Sequence, residues 1–175
     1  KNRFNIMFKK PFLIKNKRFI DKRGFFQEIY KKKDCKIPLL FTAIAYSKKN
    51  VIRGLHFQTT NKQTKVIHVV HGAILDVAVN LKKNSKNFGK VYMFKLNQGD
   101  TLVVPNLFAH GYECLSKTST VLYHLDNYRN SKKENGISYN DKTLNIKWKT
   151  KKPIVSIRDK NSETFVNFKK NLKTL

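Results

Sequence analysis

Acidic side chains are scarce in this chain. Only 11 Asp and Glu stand against 37 Lys and Arg, giving a formal charge of +26 at pH 7 over 175 residues. That excess favours anionic partners: nucleic acid, acidic lipid or a phosphorylated small molecule. The lysines are spread from end to end, and the runs KKK at 31–33 and KWKTKK at 147–152 are short. There is no basic arm and no RNP-type or zinc-finger pattern, which argues against nucleic acid and leaves a phosphorylated ligand. Cysteine is scarce too. Cys35 and Cys114 are too few for a disulfide framework and lack CxxC spacing, so a reducing, cytoplasmic location is expected. Long apolar runs are missing. FNIMFKKPFLI at 4–14 is broken by Lys9, Lys10 and Pro11, whereas a membrane span needs about 20 mostly apolar residues and a signal peptide a continuous apolar centre. No membrane association is expected. No repeat and no low-complexity linker divides the chain, so residues 1–175 read as one domain. A domain of this length buries roughly 70% of its unfolded surface, enough for a core without staples.

What is present is strand-like. KVIHVVHGAILDVAVNL at 65–81 reads as two β-rich runs on either side of His71-Gly72. In the second, Ile74, Asp76, Ala78 and Asn80 share one face, and Leu75, Val77, Val79 and Leu81 the other. KVYMFKLN at 90–97, TLVVP at 101–105 and STVLYHLDNY at 119–128 are further strand candidates. Turn signals fall at Asn84-Ser85, at Asn97 to Asp100 and at Asn130 to Gly136. Helix is expected only near Ser162 to Leu172 and, cut short by Pro38, between Lys31 and Leu40. Many short strands with few helices predict an all-β sandwich or barrel.

The five histidines are His56, His68, His71, His110 and His124. A strand-borne metal site wants two histidines two apart, so that both point inward, with a carboxylate and a later histidine. RGLHFQ at 53–58 has only His56, and His68 and His71, three apart, fall on opposite faces of a strand. No metal is expected. In RGLHFQ, alternation puts Gly54, His56 and Gln58 on one face and Arg53, Leu55 and Phe57 on the other. Glycine beside a polar pair signals close approach by a ligand or by backbone. His56 then has two readings, a buried imidazole bonded to a carbonyl or a base aimed at a substrate.

A series of segments in fixed order bears on that choice. They are DKRGFFQE at 21–28, NVIRGLHFQ at 50–58, KVIHVVHGAILDVAV at 65–79, SKNFGK at 85–90, LVVPNLFAHGYECLS at 102–116, VLYHLDNY at 121–128, GISYNDKTLNIKW at 136–148 and SIRD at 156–159. Together they resemble the dTDP-4-dehydrorhamnose 3,5-epimerase family, cupin-like enzymes of deoxysugar biosynthesis. The resemblance implies a cupin-type jelly roll with short peripheral helices, no cofactor and a homodimer with shared active sites. It implies a nucleotide-diphosphate 4-keto-6-deoxy sugar as substrate. The C4 ketone of such a sugar acidifies the hydrogens at C3 and C5, and inversion needs a base, enolate stabilisation and an acid on the opposite face.

Carried over by position, the resemblance makes His56 the base and Asp159 its carboxylate partner. Lys65 faces the C4 oxygen, and Tyr123 is the acid. A tyrosine with a pKa of about 10 can protonate an enolate, which is more basic than a phenolate. The family's second tyrosine follows shortly after the first. Tyr128 comes one residue too early for it, so the acid is Tyr123 or Tyr128. Arg53 and His110 match positions facing sugar and diphosphate. Asp76 matches a position supporting His56 or Lys65, and Gln58 a contact to the base edge. Arg23, Phe26 and Glu28 match a strand that reaches the partner subunit's nucleotide, with Arg23 suited to phosphate and Phe26 to a base face.

The match fails upstream of RGLHFQ. The family pattern Gln-x-Asn-x-Ser-x-Ser reads here Phe41, Ala43, Ala45 and Ser47. Losing polar groups that bond a ligand costs about 1–3 kcal/mol each, so the sugar and nucleotide stay open. Three readings follow: a 3,5-epimerase, an epimerase of C3 or C5 alone or of another (for example GDP-linked) 4-keto sugar, and an anion-binding module without catalysis.

Overall fold

The structure, a computed structural model, describes residues 8–172. Residues 4–7 of the FNIMFKKPFLI segment lie outside the described residues. In chain order the strands are β1 (Phe12–Ile14), β2 (Arg18–Asp21), β3 (Gly24–Gln27), β4 (Phe41–Lys48), β5 (Ile52–Gln58) and β6 (Lys65–His71). They continue as β7 (Ala73–Asn80), β8 (Val91–Asn97), β9 (Thr101–Val104), β10 (Phe108–Cys114), β11 (Thr118–Leu125) and β12 (Glu134–Gly136). The helices are single turns or little more: α1 (Lys32–Cys35), α2 (Ile157–Lys160) and α3 (Phe165–Lys170). α1 and α3 fall inside the two stretches expected to be helical. The expected turn at Asn130 to Gly136 is instead a 3-10 turn, Ser131–Lys133, running into β12, because this segment pairs with the edge of β5.

Two five-stranded antiparallel sheets face each other, ordered β1-β9-β6-β11-β4 and β12-β5-β10-β7-β8, and β2-β3 forms a separate hairpin. This is an all-β jelly-roll sandwich. The core between the sheets takes Ile67, Leu102 and Val121 from the first and Ile74, Phe108 and Tyr112 from the second. Period-two alternation explains β7: Ile74 and Ala78 enter this core, while Val77 and Val79 point outward under Phe165 and Phe168 of α3. Asp76 shares the inward face and is fully buried. A third cluster, Cys35, Ile37, Val66 and Val103, joins the first sheet to the segment around α1.

One irregularity positions the site. On β10, His110 pairs with His56, and Tyr112 pairs with Arg53. Two steps on β10 therefore match three on β5, so β5 carries an extra residue, a bulge. Gly54 lies there with φ +128°, and a Cβ on it would stand 2.5 Å from Gly111 Cα. The close approach signalled by this glycine is thus backbone on backbone. The bulge overturns the expected alternation: Arg53 does not face the same way as Leu55 and Phe57 but shares a cavity wall with His56.

Candidate active site

A cavity of about 680 Å³ opens between the two sheets, within the size range of small-molecule sites. The second sheet supplies Arg53, His56 and His110 to its wall, the first sheet Lys65 and Tyr123, and α2 supplies Asp159. Four strands and one helical turn thus bring together six of the residues singled out from the sequence.

His56 Nε2 donates to Asp159 Oδ1 at 2.7 Å. The other carboxylate oxygen accepts the Gly54 N–H at 3.1 Å, so the bulge that aims Arg53 also holds the histidine's partner. Ser156 caps α2, accepting the Asp159 N–H at 3.1 Å, and fixes the backbone from which the carboxylate springs. Burial pushes the Asp159 carboxyl up, but the His56 contact, the Gly54 N–H and the Ser156 hydroxyl outweigh it and hold the group below its ordinary value. His56 is therefore bonded to an ionised carboxylate, not to a carbonyl.

A second imidazole–carboxylate pair lies beside the first. His110 Nε2 donates to Asp76 Oδ2 at 2.8 Å, with both side chains buried. The support expected from Asp76 thus goes to His110 by direct bond, because β10 and β7 are neighbours and place His110 against that face. Asp76 Oδ1 is buried without a hydrogen-bond partner, and its charge acts on both Lys65 and Tyr123.

Lys65 is desolvated, which lowers its pKa to about 8 against the opposing charges of Glu134, Asp76 and Asp126. Burial, then Tyr112 and Asp76, push the Tyr123 phenol well above its ordinary value, against a smaller opposing effect of Arg53. At neutral pH the site thus holds an ammonium and a protonated phenol on the sheet opposite the His56–Asp159 pair. Arg53 is steadied by Ser47 Oγ, which accepts its Nε–H at 2.9 Å, and by the Tyr46 carbonyl, which accepts Nη2–H at 2.9 Å. The Tyr112 hydroxyl lies 2.8 Å from the same serine oxygen.

Other expected residues stand apart. Gln58 is buried outside the cavity wall, donating to the Asn61 carbonyl at 2.9 Å and accepting the Asn130 N–H at 2.6 Å. It organises the loops around β12. Tyr128 is 63% exposed and does not line the cavity. The next residue, Arg129, does. Arg23, Phe26 and Glu28 lie on or beside the β2–β3 hairpin, away from this cavity. Arg23 is paired with Asp21 at 2.6 Å and Glu28 with Lys31. Arg129, Glu134 and Arg158, all on the cavity wall, went unnoticed in the sequence. An isolated acid beside Lys132 and Lys133, in a chain with so few acids, was the available signal. No group of three or more His, Cys, Asp or Glu among the described residues could hold a metal ion. No helix among them is long and apolar enough to cross a membrane.

The family model described as dTDP-4-dehydrorhamnose 3,5-epimerase matches residues 6–167. The chain belongs to the dTDP-4-dehydrorhamnose 3,5-epimerase family. It is 34% identical to the dTDP-4-dehydrorhamnose 3,5-epimerase of Shigella flexneri over 164 residues, covering 89% of this chain and 91% of that one. The crystal structure of the Elizabethkingia anophelis dTDP-4-dehydrorhamnose 3,5-epimerase superposes with a TM-score of 0.86 at 33% identity, over 95% of this chain and 94% of that one. The Legionella pneumophila epimerase, solved in complex with dTDP-4-keto-L-rhamnose, gives 0.86 at 28% identity, over 91% and 90%. These relatives share the cupin-like sandwich, and the family places this chain among the isomerases.

Proposed function

We propose that this epimerase-family protein inverts C3 and C5 of a dTDP-4-keto-6-deoxyhexose through an enolate, as a single domain and without a metal or cofactor. One observation carries the reading: a carboxylate-bound imidazole on one sheet and a phenol with an ammonium on the other line the same cavity. His56 keeps its Nε2 proton, donated as a hydrogen bond to the ionised Asp159, which leaves the opposite ring nitrogen free to take the proton from carbon. Asp159 then stabilises the imidazolium. Lys65 faces the oxyanion that develops at C4. Tyr123, kept protonated, returns a proton from the other side. Of the two tyrosines considered for that role, the cavity favours Tyr123, since Tyr128 points to solvent.

The β2–β3 hairpin supports a homodimer in this reading. Phe19, Ile20, Phe25 and Phe26 on it are exposed, Phe26 to 67%, and a second subunit whose site received Arg23, Phe26 and Glu28 would cover them. A cytoplasmic location fits the scarcity of cysteine.

A second reading, inversion of one carbon only or of a different 4-keto sugar, is favoured by the cavity wall formed by Phe41, Ala43 and Ala45, where a hydroxyl would lack a partner. Incubation with dTDP-4-keto-6-deoxyglucose in heavy water decides. Deuterium at C3 and C5 is expected. Label at one carbon supports the second reading, and binding without label leaves a module that only binds anions.

A further inference from the structure

The basic run at 147–152 plays no part in the chemistry above, yet it is held by a buried acid. Glu113, on β10, is 2% exposed and does not line the cavity. Its two carboxylate oxygens accept the backbone N–H groups of Lys149 at 2.7 Å and Thr150 at 2.8 Å. A buried carboxylate is costly unless it is bonded, and this one uses both oxygens on a stretch of irregular backbone.

The course of that stretch shows what is being held. Trp148 packs, partly buried, against the cluster under α3 and donates Nε1–H to the Tyr139 carbonyl at 2.7 Å. From there no residue is buried until Asp159. A segment without apolar anchors is placed by its polar tethers. Glu113 holds its entry, through N–H bonds to an ionised acceptor, which are stronger than neutral ones. Ile154 holds its exit: its N–H donates to the Asn50 carbonyl at 2.9 Å, and its carbonyl accepts the Ile52 N–H at 3.0 Å. Glu113 and Ile52 are themselves cross-strand partners. The two docking points thus sit side by side on β10 and β5, next to the Gly54 bulge. Two residues beyond Ile154 stands Ser156, the cap of α2, and then Asp159. Lys149, Lys151 and Lys152 stay exposed along the way, so the basic run is a solvated strap docked on a buried anion.

A plain staple for stability would explain the two bonds to Glu113, but not what the strap delivers. We propose that Glu113 is a positioning residue: by holding the Lys149 and Thr150 N–H groups it sets the C-terminal segment so that Asp159 meets His56. The catalytic meaning of that pair rests on the proposed function.

The experiment follows the ring nitrogens of His56 and His110 by magnetic resonance in full-length protein carrying isotope-labelled histidine, alongside turnover of dTDP-4-keto-6-deoxyglucose. Both imidazoles donate Nε2–H to a carboxylate, so the wild type should show two fixed tautomers. His56→Asn assigns the signals, and Asp159→Asn supplies the reference for an unpaired His56. Glu113→Gln keeps the side chain's shape but turns an NH2 toward one of the two donors, which breaks one tether. It is expected to move the His56 nitrogens toward the unpaired reference, leave those of His110 in place and lower turnover about tenfold. His56 nitrogens and turnover as in the wild type, with only a lower melting temperature, overturn the proposal. Should the His110 nitrogens move too, the sandwich itself is disturbed, and Glu113→Asp, which keeps the charge at a shorter reach, is judged by the same comparison. Absence of turnover and solvent exchange in the wild type on any nucleotide 4-keto sugar overturns the function beneath, while the nitrogen signals still judge Glu113.

Discussion

His56 and His110 are direct cross-strand partners on β5 and β10, and each is bonded to a different carboxylate, Asp159 at 2.7 Å and Asp76 at 2.8 Å. Two imidazoles in register thus have unlike surroundings. The first pair is open to the cavity on the His56 side, and the second is enclosed. In the proposed mechanism that difference suits His56 to proton transfer and His110 to shaping the wall.

Replacing His56 by Asn should abolish deuterium incorporation from solvent, with a loss of about a hundredfold or more, while the melting temperature stays near that of the wild type. His110→Asn should do the reverse. It strands the buried Asp76 carboxylate, so stability falls by about 3 kcal/mol or more, visible as a lower midpoint in urea. Normal exchange by His56→Asn would assign the base elsewhere.

The turnover rate should fall as pH rises through about 8, the pKa to which desolvation brings Lys65. The protonated form is the one that opposes charge on the enolate oxygen, and it is full below that pH and lost above it. Lys65→Arg should move the alkaline limb upward, because a guanidinium stays charged. Lys65→Met should lower the rate and remove that limb. A pH–rate profile of the three proteins checks the sign.

Tyr123→Phe should separate two events that the wild type couples. Proton removal at carbon continues, seen as exchange, while formation of the inverted sugar slows by about a hundredfold. Tyr128→Phe should leave both rates within about twofold, since that ring lies outside the cavity. Proton magnetic resonance of the sugar ring follows both events in one sample.

Gly54→Ala should destabilise the fold by about 2 kcal/mol or more. A methyl there meets Gly111 Cα at 2.5 Å and the His110 carbonyl at 2.9 Å, at a φ that side chains resist. The same change moves the N–H that holds Asp159, so activity should fall further than stability alone accounts for. Thermal melts with parallel rate measurements separate the two effects.

Much of the sandwich was legible in the sequence. Alternation in Ala73–Asn80 gave the inward face carrying Asp76, and apolar runs broken by Asn and Gly marked most strand ends. The bulge in β5 was not legible, since simple alternation assumes one residue per step and the extra residue exists only by pairing with β10. For the same reason Arg53 was assigned to the wrong face. Asp159 came from the resemblance of SIRD, because nothing in four residues of sequence says which histidine they will meet. The cluster around Glu134 escaped because its members are separated along the chain and its core looked like turn composition.

Asp159 sits on α2, beyond the last strand of either sheet. During synthesis, every strand of the sandwich leaves the ribosome before the carboxylate that completes the histidine pair. A stalled nascent chain could therefore assemble its sheets and remain inert. In the proposed mechanism, catalysis would then await delivery of the C-terminal segment rather than closure of the barrel-like body.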